Sequence, residues 1–142
     1  MNNRIKRIAA CCCRRFGTNN PFEIAKCLNI EVQIGKLGFE GCYMFLKNHR
    51  CIFLNEDLPE QELRLVMAHE LGHAVMHRKQ NCYFIRSSTF LLNSRTEMEA
   101  NRFAMELLIP DAELMDYREC SLEQLSRIFG YEERLVALKF QE

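Results

Sequence analysis

The sequence holds eight cysteines in 142 residues but no CxxC pair, and that absence rules out a four-cysteine zinc knuckle by spacing alone. An export signal is also missing. The apolar run IAACCC after the first basic residues is too short for a signal-peptide core, and no small-residue cleavage site follows it. Without export the thiols are expected to stay reduced in the cytoplasm, where cysteine behaves as a small hydrophobe. No apolar stretch approaches the roughly 20 residues of a bilayer span, so no membrane association is expected. Glycine-rich phosphate loops, repeats and low-complexity tracts are absent as well. Finally there is no net charge, because 19 basic residues balance 19 acidic ones. The balance is uneven: residues 1–16 carry Arg4, Lys6, Arg7, Arg14 and Arg15 without an acid, which leaves the rest of the chain negative by five.

What is present is the composition of an ordinary globular protein, 48% hydrophobic and 27% charged, at a length that fits one domain over residues 1–142. Ile5, Ile8, Ala9, Cys12 and Phe16 recur at helical spacing and predict an amphipathic helix over 3–16, ended by Gly17. A second helix starts in TNNPFE, with Asn20 as cap and Pro21 at the first helical position, and runs to about Leu28. From Ile30 the period becomes two. IEVQI, CYMFL and CIFL are expected to form three antiparallel strands, the last two a hairpin about KNHR. Asp57, Pro59 and Glu60 open a long helix to about Arg78, and residues 80–93 show no clear period. SRTEMEANRFAMELLIP is a further helix stopped by Pro110, and residues 121–142 read as two short helices broken at Gly130, with Ser121 and Gln124 as a capping box. The class expected is therefore α+β.

The long helix contains VMAHELGHAVMH, residues 66–77. Histidines at i and i+4 share one helix face, so His69 and His73 can both reach one ion. A zinc ion needs nitrogens at about 2.0 to 2.1 Å in a roughly tetrahedral arrangement, and HExxH supplies two without straining the backbone. Glu70 then lies beside the ion, placed to take a proton from water. A solvated polar face is the bland alternative, but Val66, Met67, Leu71, Ala74 and Val75 surround these residues with apolar neighbours. A catalytic zinc site needs a third protein ligand. His77 lies eight residues beyond His69, a rise of about 12 Å, too far to share the ion, so it is expected to support a ligand or cap the helix end. Glycine and histidine are missing from positions 76 and 79, which excludes the longer HExxHxxGxxH pattern. The third ligand is then a carboxylate from TEMEANRFA. Glu97 and Glu99 are two residues apart and point in different directions, and helix geometry alone leaves both open.

HELGH followed by EMEANRFAMELLIP, with the NPFEIAKCLNI helix and the CIFLN strand before them, resembles the ImmA/IrrE family of metallopeptidases over nearly the whole chain. The resemblance implies a small zincin-like domain with a three-stranded sheet packed on the active-site helix. It implies zinc bound by His69, His73 and Glu99, the acid directly before Ala-Asn, with Glu70 as catalytic base. It also implies endopeptidase activity on a helix-turn-helix repressor of a mobile element or a stress response. Some members add a sensory domain after the core, for which this sequence leaves no length.

A donor for the oxyanion is expected too. Tyr43 on its strand is the candidate taken, with Tyr83 and Arg86 in the unpatterned segment behind it. Cys51 and Cys82 are weighed as a fourth ligand of a resting form and are better explained as core. The competing function is a zinc-stabilised regulator that acts by protein or DNA contact without proteolysis. Direct nucleic-acid binding is not expected, since residues 121–142 carry Arg127, Arg134 and Lys139 against Glu123, Glu132, Glu133 and Glu142 and so show no basic recognition face.

Overall fold

The computed structural model describes residues 2–84 and 94–141. Its elements are α1 (Asn2–Phe16), α2 (Pro21–Cys27), β1 (Glu31–Gly35), β2 (Gly41–Leu46), β3 (His49–Asn55), α3 (Glu60–Met76), β4 (Cys82–Phe84) and α4 (Arg95–Leu108). They are followed by α5 (Asp111–Leu114), a 3-10 turn (Met115–Tyr117), α6 (Leu122–Phe129), α7 (Glu133–Val136) and a closing 3-10 turn (Ala137–Phe140).

Local chemistry accounts for the helix ends. The Asn20 side chain accepts from the Phe22 amide at 2.9 Å with Pro21 in the first turn, and Ser121 and Gln124 form the reciprocal capping box. Gly130 ends α6 at φ 82°, a left-handed conformation that glycine adopts without a Cβ penalty. Two left-handed residues, Lys47 and Asn48, turn the β2–β3 hairpin with the twist such two-residue loops need.

The sheet departs from the expected arrangement in two ways. It has four strands in the order β1-β3-β2-β4, and β1 pairs with β3 in parallel, Val32 opposite Ile52. β1 and β2 still run in opposite directions, as three antiparallel strands would require. The hairpin has entered with β3 on the inside, so β3 takes the central place and faces β1 with matching direction. The short β4 adds antiparallel to β2 and falls in the segment that has no readable period.

α3 lies between two layers. On one side Val66 fills the space over Gly41 of β2, and Tyr43, Ile52 and Leu54 of the sheet are fully buried. On the other, Gly72 brings the helix against Ala100 and Phe103 of α4, where an added Cβ would stand 3.1 to 3.3 Å from their atoms. Residues from Leu65 to Ala74 are consequently all buried, polar ones included. α1 packs on α4 through Ile5, Ala9 and Cys12. The C-terminal turn is tied to α4 by Arg102, whose guanidinium donates to the carbonyls of Leu138 and Gln141, and by Lys139, which donates to Glu106 at 2.7 Å. Among the described residues, no helix is long and apolar enough to cross a membrane.

Candidate metal centre

The covered half of α3 carries His69, Glu70 and His73, each 0% exposed, and one ligand atom from each lies within 4.8 Å of the others. His69 and His73 are one turn apart and turn their Nε2 atoms toward each other at 3.2 Å. A single carboxylate meets both rings: Glu97 places Oε2 at 2.9 Å from His69 Nε2 and Oε1 at 3.1 Å from His73 Nε2. Behind His69, its Nδ1 stands 2.8 Å from Asn101 Oδ1. A metal held at Nε2 would leave the ring proton on Nδ1, where it donates to the amide oxygen.

The structure places the two acids differently from the expectation. Glu99, expected among the histidine nitrogens on the strength of its place before Ala-Asn, turns away and puts Oε1 2.8 Å from His77 Nε2. Arg4 of α1 and Arg95 approach its other oxygen at 3.4 and 3.7 Å. The reason is the roll of α4. Ala100 and Phe103 must lie on Gly72, and that packing turns Glu97 and Asn101, one helical turn apart, toward His69. Asn101 escaped sequence reasoning, although a polar residue between Ala100 and Ala104 on a covered face was a readable signal.

Tyr43, expected as the oxyanion donor, has a different place. Its ring is 0% exposed in the core beneath α3, and its hydroxyl donates to the carbonyl of Arg78 at 2.5 Å, beyond the helix end. It is a packed residue whose hydroxyl secures the chain after α3. Arg86 lies outside the described residues, and only the backbone of Tyr83 and Cys82 is described. The Cys51 thiol donates to Glu31 on the sheet. His77 has the place expected of it: it caps α3, its amide donating to the His73 carbonyl at 2.7 Å, and its Nδ1 stands 3.0 Å from His73 Nδ1.

The electrostatics show what the cluster is suited to hold. Glu70 is fully buried, and among the described residues neither carboxylate oxygen has a hydrogen-bond partner. Burial first, and the neighbouring Glu97 charge second, push its pKa well above the carboxylate range. Glu97 moves the other way. Burial raises its pKa, but hydrogen bonds from His69 and His73 outweigh that and keep it ionised. The His73 pKa is lowered, chiefly by burial and against the pull of Glu97. Two imidazole nitrogens and an ionised carboxylate thus converge beside an acid that has no hydrogen-bond partner among the described residues. A divalent cation fits that donor set, since it would satisfy the three convergent groups and favour the charged form of Glu70.

A family model described as the IrrE N-terminal-like domain, a peptidase family, matches residues 25–139. The chain belongs to the ImmA/IrrE family of metallopeptidases. It is 35% identical over 130 residues to immunity region protein 2 of Bacillus phage phi105, covering 89% of this chain and 82% of the relative. It is 31% identical over 130 residues to metallopeptidase ImmA of Bacillus subtilis, covering 89% of this chain and 72% of the relative. The ImmA/IrrE match runs from the last turn of α2 into the C-terminal turn, and so contains every residue of the cluster. Membership implies a metal ion, and the His69, Glu70 and His73 group is where this chain brings suitable side chains together.

Proposed function

We propose that the chain is a zinc-dependent endopeptidase of the ImmA type, with His69, His73 and Glu97 as metal ligands, Glu70 as general base and a helix-turn-helix repressor as substrate. Zinc fits the two imidazoles and one carboxylate, a set that leaves a fourth position open. Bound there, the ion supplies Lewis-acid polarisation of a carbonyl and a lowered pKa for water. The protein's own part falls to Glu70. Beside a cation its carboxylate ionises, takes the proton from the attacking water and returns it to the amide nitrogen as the peptide bond breaks. Asn101 fixes the His69 ring, and the apolar shell of α3 and α4 keeps bulk water from competing for the carboxylate.

The observation that carries this reading is the buried, unpartnered Glu70 carboxylate beside the converging nitrogens. Leaving such a group unpaired costs about 1 to 3 kcal/mol, more if charged, and a site that merely stabilised the fold would gain nothing from it. The regulator that acts by contact alone is disfavoured on that ground. The repressor as substrate is supported by the family resemblance and by the relative named for a phage immunity region. Incubating the purified protein and zinc with helix-turn-helix repressors, any encoded next to it first, tests the reading. Cleavage at a defined bond that a chelator stops is expected; an intact repressor at full zinc occupancy would favour the contact regulator.

A further inference from the structure

A line of contacts leaves the cluster on the side away from Glu97. It runs from His73 Nδ1 to His77 Nδ1 at 3.0 Å, from His77 Nε2 to Glu99 Oε1 at 2.8 Å, and from Glu99 Oε2 to Arg4 at 3.4 Å. His77 is 9% exposed and Glu99 7% exposed, so both groups need these partners. We propose that His77 and Glu99 are positioning residues that fix the tautomer and orientation of the His73 ring and thereby set the affinity for the metal. The inference rests on the reading of His73 as a ligand.

Proton bookkeeping along the line allows one consistent arrangement. A ligating His73 offers the lone pair of Nε2, so its proton sits on Nδ1. The contact between the two Nδ1 atoms has room for one proton, which His73 supplies, and His77 Nδ1 accepts. The His77 proton must then be on Nε2, where it donates to Glu99. Each donor along the line has an acceptor, and the line ends on a carboxylate that the Arg4 and Arg95 guanidiniums face. Through the intervening ring this gives His73 what a carboxylate directly behind a metal-binding histidine provides: a locked orientation and a more basic nitrogen. The main chain supports the same alignment, because the His77 amide bonds the His73 carbonyl one turn back. His69 has the corresponding partner in Asn101, so both ligand rings are held from behind. A helix cap alone would require the amide contact and not the ring.

Metal affinity, measured by chelator competition, tests the inference separately from peptidase activity. His77→Phe and Glu99→Gln are each expected to raise the zinc Kd by about 10 to 100-fold with unchanged far-UV circular dichroism. The double variant should lose little more than the worse single one, since both act through one ring. His77→Gln, which can accept from His73 and donate to Glu99, should recover much of the affinity. In the zinc-loaded wild type, nitrogen-15 NMR should find the His77 proton on Nε2. Zinc affinities within twofold of wild type in both folded single variants, or a proton on His77 Nδ1, would overturn the inference. If instead wild type itself fails to bind zinc, it is the metal reading beneath that fails.

Discussion

Glu97 and Glu99 stand one residue apart from a common neighbour, and their different fates show what a side chain's place on a helix does and does not reveal. The histidines and Glu70 were legible because i, i+4 spacing is local: any helix through residues 69–73 puts both rings on one face. Which carboxylate meets the two rings depends on how α4 rolls against α3, and residues 99–108 are buried all round, so their pattern marks no single face. Phe103 and Ala100 on Gly72 decide it. A consequence follows for binding. Glu97→Ala should weaken zinc by more than about 100-fold, beyond the loss expected of Glu99→Gln, which removes only support behind a ligand. Equilibrium dialysis of the two variants checks this, and a larger loss at Glu99 would restore it as the ligand.

At the scale of elements, the α3–α4 contact explains a glycine that intrinsic propensity disfavours. Glycine inside a helix costs about 1 kcal/mol relative to alanine, yet at position 72 a methyl group would press on the Phe103 ring and the Ala100 backbone. Overpacking of this kind costs about 1 to 3 kcal/mol and outweighs the gain in propensity. Gly72→Ala should therefore destabilise the protein by up to about 2 kcal/mol in urea unfolding, with a parallel loss of zinc affinity as Glu97 shifts; a stabilised variant would show that α4 can retreat. The strands teach a related lesson. Alternation in IEVQI and the turn residues Lys47 and Asn48 announced strands and a hairpin, since both are local signals. The order β1-β3-β2-β4 was not readable, because which edge of a hairpin meets an earlier strand is fixed by the helix they jointly cover.

For the molecule as a whole, the N-terminal and C-terminal segments meet over α4. Lys139, with its side chain 1% exposed, lies 2.7 Å from Glu106 and 3.0 Å from Asp111, and Lys6 of α1 reaches Asp111 at 2.7 Å. Removing one partner of such a buried pair strands the other charge, so Lys139→Met should cost about 3 kcal/mol in denaturant unfolding, an effect that a surface lysine would not show. The same cluster gives an acid dependence. Burial tends to raise the Asp111 pKa, but bonds from Lys6 and Lys139 outweigh this and hold it below the ordinary 3.8. Its contribution is therefore complete above that value and declines as the pH falls through the lower folded value. In chelator, the Asp111→Asn variant should show a flatter loss of melting temperature below about pH 4 than the parent.

Metal binding joins these scales, because an ion bound only by the folded chain stabilises it by about 2.7 kcal/mol at one hundred times the dissociation constant. Zinc should accordingly raise the melting temperature of the wild type and leave a His69→Ala, His73→Ala variant unmoved. The central claim is that these ligands serve catalysis and not only the fold, and Glu70 separates the two. The decisive measurement is bound zinc and repressor cleavage together in Glu70→Gln. About one zinc per chain with cleavage reduced by at least ~100-fold is predicted; undiminished cleavage by the zinc-loaded variant would contradict the account.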